Sequence, residues 1–485
     1  MSIRRILCAF LLLLAGSALA QGGKPSVDLS KITQQEIAQV QAPGSLLKLA
    51  KRYKETGDYE HLSWTLERLL ALQPQVSEIR LALATTYAML GEKTKTYDTL
   101  LALQRSGHGY DLADNPNFAK VTGNKAWDFI VKGLKDNLAP VGDGAVAFSL
   151  PAGDHLFESI AWDPVHKVFL VGSVRDGSIL RVDAKGKATP FIKPDASNGL
   201  WSVYALAVDP AGETLWVAST SSVYFKGFKQ EDFGKAGLFK FSLADGKLLA
   251  KYILADDGKP RSLSSIAAGP DDLAFVADGL RNIIYRVDGG ELKPFVANPK
   301  LVSLRGLALS KDGRYLYFAD HMLGLFGADL AAGRAFDLQA DPGKLALGGI
   351  DGLAWYDNHL IAVESGMSPR RVIRISLGAD GRSLIDSSVL DAANPAFALP
   401  TTGTVSGDGY YFIANSQKNA YDGYGSPKDE SKLQPVEIFR SDLRANWDRA
   451  KHEELSQAAA VVSQSKPGSG KFSNVEGGSN SVSGN

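Results

Sequence analysis

The sequence predicts a mainly β fold, a six-bladed β-propeller preceded by a small α-helical repeat domain. The first observation is a pair of strand-like runs that recurs six times between Glu158 and Asn415, with about 40 to 60 residues per copy, the period of a propeller blade. The second is a helical apolar spacing from Leu46 to Leu103, in which two copies align at an offset of about 34 residues. The 49 glycines among 485 residues suit the many turns of a β protein.

The N-terminus has the parts of a secretory signal peptide. A basic start precedes the apolar run Ile6–Leu14, which is too short to span a membrane, and Ala18–Ala20 fits a cleavage site. We therefore expect residues 1–20 to be removed and the mature protein, without a membrane span, to be periplasmic or secreted. The only cysteine, Cys8, lies in that peptide, so the mature chain has no disulfide, thiolate nucleophile or cysteine zinc site.

A helical region comes next in the sequence. Residues 21–42 have little periodicity and are interpreted as a linker, and residues 43–138 are predicted to form a domain like a tetratricopeptide repeat. Gly57 aligns with Gly91 at the repeat offset, where a glycine permits a tight turn between helices. Two interpretations of this region stay open: a surface that docks a protein partner, or a helical module packed on the propeller.

The propeller is predicted over residues 144–443. The strand-like run Ala145–Leu150 is expected to pair with the last blade and close the ring, which leaves no long free edge. Two insertions, Tyr224–Gly237 and Lys418–Leu433, are expected to form lids or rims over one face. Residues 444–485 are predicted to form a terminal helix and then a disordered tail rich in serine, glycine and asparagine.

The recurrence sorts the polar residues into two rings. The first ring stands at the start of the inner strands and consists of Glu158, Tyr204, Ser264, Arg305, Asp351 and Thr402. The second ring ends the following strands, about 13 to 15 residues later, and consists of Ser173, Ser219, Asp278, Asp320, Glu364 and Asn415. Because successive strands of a blade are antiparallel, we expect both rings to meet at one mouth of the central channel.

Carboxylates dominate the two rings, and such a cluster needs a positive group among them. Their oxygen ligands suit Ca²⁺, Mg²⁺ or Mn²⁺, and the alternative positive group is Arg305. A structural interpretation also stays open, in which carboxylates at strand ends bind backbone N–H groups, a role that suits Asp278 and Asp320. His155 and His321 are candidate proton carriers.

Three motifs resemble the SMP-30/gluconolactonase/LRE-like family of six-bladed propellers over about residues 144–443. The motifs are Glu158–Asp163, Arg305–Ser310 with Leu316–Asp320, and Asp351–Ala354. The resemblance implies that Glu158 and Asp320 hold a divalent cation (Ca, Mg, Mn or Zn) over the channel and that Asp320 is the general base in hydrolysis of a sugar lactone. The asparagine that this family carries before Gly306 is replaced here by Arg305, whose guanidinium is able to bridge Glu158 and Asp320.

Two functions follow as hypotheses. The first is a metal-dependent hydrolase of a sugar lactone or similar small ester, with a channel lined by Tyr204, Asp278, Arg305, Asp351, Glu364, Thr402 and Asn415. The second is a non-catalytic periplasmic binding or scaffold protein that uses the propeller and the helical repeats. Lysine plus arginine equals aspartate plus glutamate, 53 each, and no basic stripe stands out, so nucleic acid is not expected as a partner.

Overall fold

The computed structural model of the chain describes residues 29–338 and 345–447. The predicted signal peptide and almost all of the predicted C-terminal helix and tail lie outside the described residues. Within these ranges the structure is a six-bladed β-propeller preceded by a helical region, which confirms the predicted fold class. No helix in the described ranges is long and apolar enough to cross a bilayer.

The helical region has six α-helices among the described residues. They are α1 (Gln34–Gln39), α2 (Pro43–Thr56), α3 (Tyr59–Leu72), α4 (Ser77–Leu90), α5 (Lys93–Arg105) and α6 (Lys125–Asp136). Helices α2 and α4 both end at a glycine in the left-handed region, Gly57 at φ 74° and Gly91 at φ 81°, where a side chain would be strained. The predicted offset therefore corresponds to two successive helical hairpins, α2–α3 and α4–α5.

Six four-stranded antiparallel sheets form the blades. Blades one to three contain β2 (Phe157–Asp163), β3 (Val168–Ser173), β4 (Ile179–Val182) and β5 (Ala188–Ile192); β6 (Ser202–Val208), β7 (Thr214–Thr220), β8 (Ala236–Ser242) and β9 (Leu248–Ile253); and β10 (Leu263–Ala268), β11 (Ala274–Asp278), β12 (Ile283–Asp288) and β13 (Glu291–Ala297). Blades four and five contain β14 (Leu304–Leu309), β15 (Tyr315–Asp320), β16 (Gly324–Asp329) and β17 (Arg334–Asp337); and β18 (Ile350–Tyr356), β19 (His359–Glu364), β20 (Arg371–Leu377) and β21 (Leu384–Ala392). Blade six contains β22 (Gly403–Ser406), β23 (Gly409–Ile413), β24 (Val436–Asp442) and β1 (Ala145–Leu150).

The ring closes through β1. This strand pairs antiparallel with β24 at the outer edge of blade six, as the sequence predicted. The chain just before β1 is tied to blade five, because Gly144 N donates to Asp391 Oδ1 at 2.9 Å. The two ends of the propeller are therefore held in one sheet, and no long strand edge is left at the junction.

The second strand of each blade is buried along most of its length. All residues of β11, β15 and β19 are buried, because adjacent blades stack on them from either side. One core cluster joins Trp216 of blade two to Val276 of blade three, and another joins Tyr317 of blade four to Ile373 of blade five. These strands are consequently near-continuous apolar runs that end on a polar residue.

The loops of the helical region pack on blades four and five. The loop after α3 places Gln75 Oε1 3.2 Å from Leu347 N. The next residue, Gly348, packs so closely on Gln75 that a Cβ atom at position 348 would lie 2.5 Å from that glutamine. The loop after α5 places Gly109 N 2.6 Å from the carbonyl oxygen of Ser368, whose hydroxyl donates back to the Gly109 carbonyl. The helical region is therefore packed on the propeller, the second of the two interpretations, and docking of a protein partner stays a prediction.

Candidate functional site

The second ring is a set of structural supports. Asp320 is fully buried, and its Oδ2 accepts from Val302 N at 2.7 Å and Ser303 N at 2.9 Å. Its Oδ1 accepts from Met322 N at 3.0 Å and Leu323 N at 3.2 Å. Four backbone N–H groups thus use the carboxylate, which leaves it poorly suited to the predicted roles of general base and metal ligand.

The same support recurs in other blades. Asp278 Oδ1 accepts from the backbone of Ser262, Leu280 and Arg281, each at 3.1 Å. Ser219 in blade two accepts from Trp201 N at 2.8 Å. In each case a residue at the end of the second strand, the last or the last but one, binds the loop leading into the innermost strand, whose N–H groups would otherwise lack partners.

The remaining second-ring residues also bind their surroundings. Asn415 Oδ1 accepts from Glu437 N at 2.7 Å, and its amide donates to Pro435 O at 3.0 Å. Ser173 donates to the backbone carbonyl of His155. Asp278, Asp320 and Asn415 therefore bind backbone groups, as the structural alternative predicted, and their place in the lining of the channel stays a prediction.

Glu364 lies at the boundary with the helical region, and its predicted place in the channel lining stays a prediction. Its carboxylate pairs with Arg371, and both side chains are almost fully buried. Burial raises the pKa of Glu364, and the Arg371 guanidinium opposes that shift. Arg371 also donates to the Ser106 carbonyl at 3.3 Å in the loop after α5. The pair therefore connects blade five to the helical region.

Bulges direct the first ring toward the channel. The pairing of the inner strand with its neighbour shifts register at this ring position in blades one to five: at Glu158, Tyr204, Ser264, Arg305–Gly306 and Asp351. In blade six Thr402 immediately precedes β22 and lies against Gly352. A bulge takes its residue out of the ladder and re-aims the side chain, so these residues share one direction.

We call the resulting polar cluster the channel mouth and define it by Glu158, Tyr204, Arg305, His321, Asp351 and Lys418. Asp351 is its centre, with His321 Nδ1 3.4 Å and Arg305 Nε 3.6 Å from Asp351 Oδ1. Ser365 Oγ donates to the other oxygen, Oδ2. The side chains of Asp351, His321 and Arg305 are 22%, 26% and 42% exposed, so solvent reaches a site that the blades surround.

The charges of the channel mouth shift one another's pKa values. Burial raises the pKa of Asp351, but His321 and Arg305 outweigh it and the pKa is lowered overall. Burial lowers the pKa of His321, but Asp351 outweighs it and the pKa is raised overall. Burial also raises the pKa of Glu158, and Lys418 and a hydrogen bond from Ser416 only partly oppose this shift. The site thus contains two carboxyl groups whose pKa values move apart, a pattern found in acid–base sites.

The two insertions form one wall of the channel mouth. They meet where Tyr421 and Leu433 of the second insertion pack against Leu156 and Val174 of blade one. Tyr224 packs at the edge of this cluster, and a side chain in place of Gly425 would lie 2.2 Å from the carbonyl oxygen of Val223. The expected rim is therefore present, and the two segments build it together on one side of the channel.

Ion pairs fasten this wall to blade one. Arg175 binds Asp154 through Nε at 2.6 Å and Nη2 at 2.8 Å, and its Nη1 donates to the Tyr224 carbonyl. His155 pairs with Asp176 at 2.7 Å. His155 therefore belongs to the fastening of the wall, whereas His321 is part of the channel mouth.

Sequence reasoning missed Ser365 and Ser416, and it named His321 only as a candidate proton carrier. Ser365 and Ser416 bind Asp351 and Glu158, and each directly follows a second-ring residue. His321 occupies the same place after Asp320. The informative position was therefore one residue beyond the second-ring residue.

The side chains present do not fit the implied divalent cation. In the described ranges no group of three His, Cys, Asp or Glu side chains is arranged to hold a metal ion. Asp320 is occupied by backbone N–H groups, and the contacts of Arg305 are to Asp351 and not to Asp320. Of the two expected ligands, only Glu158 remains in the channel mouth.

No protein-family model matches the chain, and no curated protein matches it. Solved structures similar to it include a gluconolactonase from Xanthomonas campestris, at 13% identity and a TM-score of 0.41 over 63% of this chain and 91% of that chain. A putative oxidoreductase (glucose dehydrogenase) from Thermus thermophilus has 15% identity and a TM-score of 0.41 over 62% and 99%. The virginiamycin B lyase from Staphylococcus aureus has 16% identity and a TM-score of 0.38 over 57% and 82%. The chain itself is a six-bladed β-propeller that follows a helical region.

Proposed function

We propose that the channel mouth is the acid–base site of a hydrolase that acts on a lactone or a similar small ester. The observation that carries this proposal is the partly exposed Asp351–His321 pair beside Arg305 and Glu158, with the pKa of Glu158 raised and that of Asp351 lowered. The motif resemblance to the SMP-30/gluconolactonase/LRE-like family supports the same substrate class. The divalent cation that this resemblance implies has no part in the proposal, because the side chains present do not fit it.

Each charged group has a role in the proposed reaction. Asp351 orients His321 and stabilises its protonated form, so His321 accepts a proton from the attacking water. The water oxygen bonds to the carbonyl carbon, and Arg305 stabilises the negative charge on the carbonyl oxygen. When the bond to the leaving oxygen breaks, Glu158 in its protonated form donates the proton that this oxygen needs. The products are a carboxylic acid and a hydroxyl group, joined in one molecule if the substrate is a lactone.

The test is hydrolysis of a panel of aldonolactones by the purified protein, with and without a chelator. We expect activity that survives the chelator and that falls by roughly 10²- to 10⁴-fold in His321→Asn, the usual contribution of a positioned acid or base. His166→Asn is the matched control, because His166 pairs with Asp163 at 2.7 Å in a turn of blade one outside the channel mouth. Hydrolysis that requires an added divalent cation, or no hydrolysis of any lactone, would contradict the proposal.

A non-catalytic binding protein is the second candidate. It is favoured by the contact of Gln73 with Met322, the neighbour of His321, which brings the helical region to the rim of the channel mouth. In this case the propeller binds a small molecule and the helical hairpins carry a protein partner. Binding of aldonates without turnover of any lactone would support this candidate over the hydrolase.

We further propose that the protein is exported to the periplasm or secreted. The support is the basic, apolar and small-residue order of the first 20 residues. N-terminal sequencing of the protein from its native compartment should begin at Gln21. An N-terminus at Met1 in the cytoplasmic fraction would contradict export.

A further inference from the structure

The acids and the bases of the channel mouth differ in their bonding. Both acids have partners: Asp351 accepts from Ser365 and faces His321, and Glu158 accepts from Ser416. Within the part of the chain that the structure describes, the charged groups of the two fixed cations, Arg305 and Lys418, have no partner at hydrogen-bonding distance. The site therefore has two cations with unused hydrogen-bonding capacity, beside His321 Nδ1, which also lacks a hydrogen-bond partner among the described residues.

Arg305 is the first cation. Its Nε is buried, and among the described residues it has no hydrogen-bond partner, since its nearest carboxylate oxygen, Asp351 Oδ1, is 3.6 Å away. A guanidinium presents five N–H donors in a planar fork. At 42% side-chain exposure, part of this fork faces the channel.

Lys418 is the second cation, and it comes from the insertion in blade six. Its backbone N donates to Ser416 Oγ at 3.3 Å, and the same hydroxyl donates to Glu158. The ammonium lies close enough to lower the pKa of Glu158, as Arg305 also does. Lys418 is exposed, and within residues 29–338 and 345–447 its ammonium makes no ion pair at 4.0 Å or less.

Hydrolysis of a neutral lactone uses only one of these cations. Arg305 is beside the Asp351–His321 pair and is assigned to the reacting carbonyl oxygen. Lys418 is left over, near Glu158 and on the wall formed by the insertions. An unused ammonium at the edge of a polar pocket binds an anionic group best.

We infer that the substrate carries an ionised carboxylate in addition to the ester that reacts, and that Lys418 binds this carboxylate. The inference rests on the proposed function and deepens it. A carboxylate fits better than a phosphate, because the ionised Asp351 is close by and repels a dianion more strongly than a monoanion. The substrate class is therefore a small lactone or ester of a dicarboxylic acid.

The test is binding of three matched polyols that the protein cannot hydrolyse, measured by calorimetry: glucitol without a carboxylate, gluconate with one, and glucarate with two. We expect glucarate to bind more tightly than gluconate by about threefold to fivefold, the effect of an exposed ion pair. We expect gluconate to bind more tightly than glucitol by roughly 10- to 100-fold through Arg305.

Two variants assign each step to one cation. Lys418→Met should abolish the preference for glucarate over gluconate and leave the preference for gluconate over glucitol. Arg305→Gln should do the reverse, with thermal unfolding as the check that it folds. Lys229→Met, at an exposed lysine of the other insertion, is the matched control and should change neither preference.

The outcomes separate this inference from the proposed function. Equal binding of glucarate and gluconate, or a glucarate preference that survives Lys418→Met, overturns the inference even if lactones are hydrolysed. The expected binding order without any hydrolysis supports the carboxylate site at Lys418 but contradicts the hydrolase, and the ligand would then be bound without a reacting ester. Loss of the glucarate preference with sulfate at equal ionic strength but not with chloride would show that Lys418 prefers a dianion to a carboxylate, and would also overturn the inference.

Discussion

Replacing Asp320 should destabilise the propeller, because we assign this residue a structural and not a catalytic role. The buried carboxylate accepts four backbone hydrogen bonds of 2.7 to 3.2 Å from residues on both sides of β15. Asp320→Asn removes the charge and turns an NH₂ group toward two of the four donors. Each hydrogen bond to a charged group contributes about 1.5 to 3 kcal/mol, and the loops relax and admit water, so we expect a loss of roughly 3 to 5 kcal/mol.

The assay is urea unfolding of the mature protein followed by circular dichroism, with the midpoint compared between variants. Asp386→Asn, at an exposed aspartate on β21, is the matched control and should stay within about 0.5 kcal/mol of the parent. An Asp320→Asn protein that unfolds at the parental midpoint but has lost its activity would refute the structural assignment. Such a result would return Asp320 to the role of general base that the motif resemblance implies.

Three further outcomes are expected. Arg371→Met leaves the buried carboxylate of Glu364 without its partner and should cost about 3 to 5 kcal/mol of unfolding free energy, whereas adding Glu364→Gln should restore part of it in urea titrations. His321→Asn should lower the melting temperature most between about pH 4 and 6.5 and least above neutral pH, as thermal scans at each pH would show. The raised pKa of His321 stabilises the fold below 6.5, the ordinary pKa of histidine, and this stabilisation is lost as the pH rises. The lowered pKa of Asp351 stabilises the fold above 3.8, the ordinary pKa of aspartate, and that stabilisation is lost as the pH falls. Arg175→Ala should speed hydrogen exchange in both insertions about tenfold, because it removes a bidentate ion pair to the loop before β2.

A specific result would contradict each of these three predictions. If the losses of unfolding free energy from Arg371→Met and Glu364→Gln were additive, the two side chains would not be coupled. A pH-independent difference between the parent and His321→Asn would show that the histidine is not charged by its neighbour. Unchanged exchange in both insertions would show that the ion pair does not fasten the wall.

Much of the architecture could be predicted from the sequence because it depends on local pattern. The apolar runs of β11, β15 and β19 are continuous, since blades pack on both sides, and each ends on a polar residue. The closing strand β1 was recognisable because it stands outside the sixfold repeat. The two helical hairpins followed from an offset that Gly57 and Gly91 mark, since each takes a positive φ at the end of a helix.

The tertiary structure alone decided which polar residues form the site. Two residues in one blade, Asp320 and His321, have equally polar side chains, yet the first binds four backbone N–H groups and the second faces Asp351. The first-ring residues converge because a bulge interrupts the ladder at Glu158 and at Asp351, and a bulge depends on strand register, which the side-chain pattern of one strand does not specify. The sequence by itself determined the blades and their order, and the long-range contacts between blades determined the charges that meet in the channel.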